Sequence, residues 1–349
     1  MSDVVIAGGG PTGLAAAIMA RLAGLEVTLF EPRPFPIDKA CGEGLMPPAI
    51  DSLNRLGVRD LPGHDFVGIR YVDGAQEASG HFHTGPGRGV RRLALQRALW
   101  ARADELGVEL IQRPLPEWSQ DEAGVTVGEH RARYLIAADG LRSPIRRSLG
   151  LELPPSLPQR LGIRRHFEVA PWSPFVEVYW SEHAEAYVTP VGPQEVGVAI
   201  LYHTDSEPPG DGTPWERWIA AFPELVARLG SDLEPTSTPR GAGPFEQRVR
   251  SVVDRRVLLI GDAAGYLDPI TGEGIRLGLD TARSAIDAIV SDSPRNHIRQ
   301  CRQVTWRYWT LTSGLLFLRN RAWLRRRMVP ALRRIPGLFD RILRLLNHA

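Results

Sequence analysis

The chain has 349 residues, 43% apolar and 23% charged, enough for one large or two modest cores and too apolar for a disordered chain. Its two cysteines, Cys41 and Cys301, stand far apart, which argues against a disulfide framework and for a reducing compartment. No signal-peptide pattern and no stretch of roughly 18 to 20 uncharged residues is present, so a cytoplasmic protein without a membrane span is expected. The net charge of +2 is uneven: residues 295–349 carry 13 arginines against Asp340 alone, or +12, leaving −10 for the rest.

In chain order, Asp3 to Ala7 is a short apolar run of the kind buried in a parallel sheet. Gly8, Gly10 and Gly13 then form G-x-G-x-x-G, with Pro11 and Thr12 inside the turn, and Leu14 to Leu22 favours helix. The spacing supplies a tight turn at Gly8, close approach of a pyrophosphate at Gly10 and close helix packing at Gly13, with a helix N-terminus facing the phosphate charge. Glu26 to Phe30 is the next strand. It ends on Glu31, an acid suited to adenosine ribose hydroxyls, with Arg33 a further candidate for nucleotide contact. This much is compatible with either FAD or NAD.

The stretch Lys39-Ala40-Cys41-Gly42-Glu43-Gly44 is unusual, placing one cysteine and an acid between glycines beside the only lysine of the chain. A helix follows from Arg92, with Leu95, Leu99 and Ala103 at helical spacing. Leu106 to Gln112 reads as a strand, Gly124 to Val127 as half of a hairpin, and Tyr134 to Ala138 as a buried strand delivering Asp139-Gly140, with Ser143 and Arg146 just beyond.

Residues 66–90 and 151–244 change character. Phe175 to Trp180, Ala186 to Thr189 and Val196 to Leu201 alternate with period two between polar or Pro/Gly spacers, as in an antiparallel sheet with one face covered. Trp215 to Leu229 reads as one amphipathic helix, and Tyr179, Trp180, Tyr187 and Phe245 are candidate cavity residues. The pair His81 and His83 lacks further metal ligands at a suitable spacing, so no metal site is expected. Apolar Val257 to Ile260 then leads into Gly261-Asp262, and Pro269 precedes Thr271-Gly272-Glu273-Gly274-Ile275.

Together, the glycine fingerprint, Asp139-Gly140 and Gly261-Asp262 resemble the flavoprotein group that holds para-hydroxybenzoate hydroxylase-like aromatic hydroxylases, flavin halogenases and geranylgeranyl reductases. The resemblance covers about residues 1–290. It implies FAD, a Rossmann-like α/β domain made of residues 1–65, 91–150 and 245–294, an inserted antiparallel-sheet substrate domain of residues 66–90 and 151–244, and a basic helical segment, 295–349. It implies that Arg92, or Arg91 in competition, touches FAD, that Asp262 meets the ribityl chain, and that Pro269, Gly272, Gly274 and Ile275 face the flavin ring. Backbone N–H groups at the helix start there can stabilise negative charge on reduced flavin. Cys41 and Gly42 fall in a loop that the group places beside the flavin. Cys41 is then a small packing residue, a redox or proton-relay group, or simply a buried thiol.

The resemblance implies first an FAD-dependent monooxygenase acting on an aromatic, polyketide-like or lipophilic molecule through a flavin C4a-hydroperoxide, with O2 as co-substrate and NAD(P)H as a transient reductant. The alternative is an FAD-dependent reductase of isoprenoid carbon–carbon double bonds, toward which the Cys41 loop leans. Cys41 and Glu273 are the catalytic candidates. The arginine-rich tail either packs on the body or lies on an anionic membrane surface. A nucleic-acid partner is not expected, because no matching fold accompanies the charge.

Overall fold

The computed structural model describes residues 2–208, 211–230 and 234–347. Its first sheet is built on Ser2–Ala7, buried from Val4 onward. That strand pairs in parallel with Val27–Phe30 on one side and His130–Ala137 on the other, and Glu109–Ile111 and Val257–Leu259 extend the parallel set. Parallel pairing has one decisive consequence. The carboxyl ends of these strands share one edge, so Gly8, Glu31, Asp139 and Gly261-Asp262 are all delivered to it. Helices Pro11–Leu22, Arg92–Glu105 and Gly274–Val290 share a core over one face. Val125 and Val127 of the hairpin expected near residue 124 belong to the other, with Val5, Phe30 and Leu135.

The second sheet has seven strands: Gly68–Asp73, Gln76–His81, Arg160–Phe167, Val176–Trp180, Ala184–Gly192, Glu195–His203 and Arg240–Ala242. All its pairings are antiparallel except that of Val176–Trp180 with Gly68–Asp73. Gly44–Leu45, His64–Phe66 and Gly87–Gly89 form a small antiparallel sheet of their own. The single helix expected over 215–229 is two, Pro214–Ile219 and Pro223–Leu229. Pro223 has no N–H to continue the first helix but suits the start of the second. The apolar face survives the break, since Trp218, Phe222 and Leu225 are buried together on the second sheet.

The basic tail forms three helices, Pro294–Arg319, Ala322–Arg334 and Leu338–Asn347. The first is anchored to the body. The Tyr308 hydroxyl accepts the N–H groups of Leu267 (3.1 Å) and Asp268 (3.0 Å). Buried Glu185 is paired with both Arg160 of the second sheet and Arg319 of the helix, and Arg160 also donates to Asp268 at 2.9 Å. Charges removed from water in this way are tolerated because each has an opposite partner.

His297 docks the same helix from its other end. Its ring nitrogens lie 2.8 Å from both Ser284 Oγ and the Leu259 carbonyl, and it is fully buried. Burial lowers its pKa from the usual 6.5 to about 4. The folded state therefore resists a proton that the unfolded chain accepts, so His297 contributes stability above pH 6.5 that is lost as pH falls toward 4, up to about 3 kcal/mol. Thermal unfolding between pH 7 and pH 5 is expected to show this loss. His297→Gln, which cannot titrate, is expected to flatten the slope by close to one proton, and an unchanged slope would place the titration elsewhere.

Candidate active site

At the first motif, Gly8 has φ +109° and an added Cβ would stand 2.4 Å from the Ala138 carbonyl oxygen, while one on Gly13 would stand 1.8 Å from that of Gly8. Strand, turn and helix are thus packed with no room for side chains at those two positions. The helix begins at Pro11 behind Gly10 with no side-chain cap, which leaves its first amides free for an anion. Glu31 is 3% exposed and accepts from the Gly9 amide (2.8 Å) and from Arg33 Nε (2.8 Å) and Nη2 (3.0 Å). Burial alone would raise its pKa, but these hydrogen bonds and the Arg33 charge outweigh it and hold the carboxylate below its ordinary range.

The second and third motifs are fastened to each other by Arg146, a residue with no exposed surface. Its guanidinium donates to the Leu141 carbonyl at 2.7 Å, to Gln247 Oε1 at 2.6 Å, and to the carbonyls of Asp262 (3.4 Å) and Ala263 (3.3 Å). Asp139 uses one carboxylate oxygen to accept the Ile145 amide at 3.2 Å, and the other has no partner although buried. Arg92 is 7% exposed, and its Nε is likewise unpartnered. Arg91, its competitor, is turned to Glu195 of the second sheet.

Between the two sheets lies a cavity of about 880 Å³. Gly10, Pro11, Thr12, Arg33, Lys39, Arg92, Asp139 and Asp262 line its motif side. Cys41, Gly42, Pro269, Gly272, Gly274 and Ile275 line its waist. Beyond them the wall is almost wholly apolar: Ile69, Tyr71, Val176, Val178 and Tyr187 from the second sheet, and Leu315, Met328, Leu332, Phe339 and Leu343 from the tail helices. Gly8, Gly13, Glu31 and Gly261 stand behind this surface rather than on it. Of the aromatic candidates, Tyr187 and Phe245 reach the cavity, whereas Tyr179 packs on the opposite face of the sheet and Trp180 into the core beside the tail helices.

Cys41 meets the cavity as a neutral thiol. Burial pushes its pKa up, against the pull of the Arg92 charge, and its sulfur accepts the Glu43 amide at 3.4 Å. Lys39 does not turn to it, and burial lowers the lysine's own pKa while the Asp262 charge opposes that. Glu273, the other catalytic candidate, is not brought to the cavity. It is 3% exposed, accepts from Arg276 at 2.6 Å and lines a separate pocket under the tail helices. At the N-cap of its helix its side chain swings back onto the next turn, where Arg276 lies three residues on.

Sequence reasoning missed a buried polar chain across the waist. Glu43, 4% exposed and at φ +59°, bonds His166 Nε2 through Oε2 at 2.5 Å and accepts the Arg92 amide through Oε1 at 2.7 Å. His166 is flanked by Arg164 (3.0 Å) and Ser237 (2.9 Å), and Arg164 donates to Asp38 at 2.6 Å. Its one sequence signal was an acid between two glycines.

The bare helix N-terminus, the cations on the motif side, and the unpartnered Arg92 Nε and Asp139 Oδ1 all suit a large anionic dinucleotide. This is the site of a flavoprotein. Residues 1–290 match the FAD binding domain family, and the chain belongs to it, as an FAD-dependent oxidoreductase. It is 29% identical to menaquinone reductase of Mycobacterium tuberculosis, over 83% of this chain and 77% of that protein. It is 30% identical to rifampicin monooxygenase of Streptomyces venezuelae, over 81% of this chain and 62% of that one. The fold is that of the flavin-dependent brominase Bmp2, with TM-score 0.83 and 22% identity over 99% of this chain and 93% of the other.

Proposed function

We propose that the chain is an FAD-dependent reductase of carbon–carbon double bonds in an extended apolar substrate of isoprenoid type. This reverses the order in which the sequence alone ranks its two readings. The observation that carries it is the apolar length of the cavity. From Cys41 the wall runs on through Leu315, Met328, Phe339 and Leu343, far more hydrocarbon surface than a single aromatic ring covers. The similarity to a menaquinone reductase supports the same substrate class.

In this reading Gly10, Pro11 and Thr12 hold the pyrophosphate at the helix N-terminus, with Arg92 as its buried counter-charge. Arg33, held from behind by buried Glu31, takes the adenosine side, Asp262 the ribityl chain, and the amides at Gly274 and Ile275 the ring edge. Bound FAD supplies hydride to the double bond after reduction by NAD(P)H, which binds transiently. The chain supplies the rest. The tail helices and second sheet exclude water and align the substrate. Cys41 Sγ holds the proton that the second carbon needs, and the Glu43–His166 pair fixes the loop on which Cys41 sits.

A monooxygenase of an aromatic lipophile is the second reading, supported by the similarity to rifampicin monooxygenase. Incubation of the purified yellow protein with NAD(P)H and a polyprenyl lipid that carries no quinone ring, followed by mass spectrometry, separates the two. A product heavier by two hydrogens is expected. A product heavier by one oxygen atom favours the second reading, and loss of the yellow colour on gentle purification with no uptake of FAD would overturn both.

A further inference from the structure

Of the eleven large apolar side chains that stand exposed among the described residues, eight lie between Ile298 and Leu345, seven of them on the tail helices and Ile335 just beyond the end of one. They are not scattered. Phe317 (52% exposed), Leu318 (36%) and Ile342 (36%) also line the cavity, so these three form an apolar rim to it. Trp323, 60% exposed, stands on the adjacent helix within one turn of the rim residue Arg327, whose guanidinium lies 5.6 Å from its ring. Arg321 lies 3.5 Å over the Phe317 ring. Arg326, Arg333 and Arg334 are exposed on the same helix. The only acid of this segment, Asp340, is turned to the second sheet, where it accepts the His81 amide at 2.8 Å.

From these observations we infer that the rim of the cavity is a docking surface for an anionic lipid bilayer, through which substrate enters without crossing water. The chemistry is that of an interfacial helix: an exposed aromatic and aliphatic ridge that reaches the acyl boundary, and arginines on the same helix that meet phosphate headgroups. No described helix is long and apolar enough to cross a membrane, which fits a surface that rests on the bilayer. A second copy of the chain is the poorer occupant, because it would set one arginine cluster against another. The inference gives the cavity of the preceding section its route of supply, but docking itself requires neither turnover nor flavin.

The test is cosedimentation of the full FAD-loaded chain with phosphatidylcholine vesicles, with and without phosphatidylglycerol. Binding is expected only to the anionic vesicles, weakening with salt, with a blue shift of tryptophan emission. The triple variant Arg326→Gln, Arg333→Gln, Arg334→Gln is expected to bind at least about tenfold more weakly, since each arginine near the surface is worth about fivefold. Trp323→Ser is expected to lose the blue shift and most of the binding. None of these four side chains lines the cavity, so flavin content and melting temperature should stay at wild-type values. Absence of vesicle binding, binding indifferent to lipid charge or to these variants, or a dimer in sedimentation velocity that Trp323→Ser abolishes would each overturn the inference. Because the assay contains no substrate, its failure leaves the reductase reading standing. Conversely, a protein that binds vesicles but hydrogenates nothing overturns only that reading.

Discussion

Arg146→Ala is expected to destabilise the protein by about 3 kcal/mol or more and to leave it unable to retain FAD. The guanidinium is wholly buried and, besides the half-exposed Glu152 at 3.3 Å, serves four acceptors drawn from separate parts of the chain, the Leu141 carbonyl, Gln247, and the carbonyls of Asp262 and Ala263. Removal strands those acceptors away from water, each at the cost of an unmade buried hydrogen bond. It also unties the Leu141 backbone, two residues past Asp139, from that of Asp262 and Ala263, loosening two motifs that in the proposed site must grip one molecule together. Arg146→Lys keeps the charge but cannot span the fork of acceptors, and an intermediate loss is expected. Melting temperature and FAD affinity by flavin fluorescence are the readouts. If the lysine variant melts and binds flavin like wild type, the bracing role is wrong.

Cys41→Ala is expected to slow oxidation of the reduced enzyme by substrate about 10²- to 10⁴-fold, the usual worth of a positioned proton donor. The flavin spectrum and the rate of flavin reduction by NAD(P)H are expected to stay close to wild type, because the thiol is a small neutral group at the waist of the cavity. Cys41→Ser retains a proton in the same place and should lose less. Stopped-flow kinetics that separate the two half-reactions measure this directly. An alanine variant with an unchanged oxidative half-reaction would reduce Cys41 to a packing residue. A thiolate mechanism is not expected, since burial holds the sulfur protonated.

Much of the nucleotide side was legible because its signals are local. A glycine that admits no Cβ, an apolar strand and an acid at the strand end are read within a few residues, and the parallel sheet follows from the buried runs themselves. Arg92 could be chosen over Arg91 only by analogy. In the fold Arg91 meets Glu195, a partner more than a hundred residues away. Glu273 was misjudged for the opposite reason. Its neighbours Gly272 and Gly274 do line the cavity, and sequence proximity suggested that it would too, but helical geometry gave its side chain a closer partner in Arg276. The Glu43–His166 pair joins residues 123 apart, and no local pattern announces it.

By itself, then, the amino-acid order determined the class of cofactor, the glycine turn that cradles it and the alternation of a second, antiparallel sheet, because each depends on backbone conformation and side-chain periodicity over short spans. Tertiary structure alone decided that the arginine-rich tail would wall and rim the cavity rather than merely decorate the body. It decided too that Arg146 would fasten two motifs and that a buried acid–imidazole pair would sit at the waist. Such arrangements arise from which surfaces exclude water against one another, and that is a property of the packed chain rather than of any one segment.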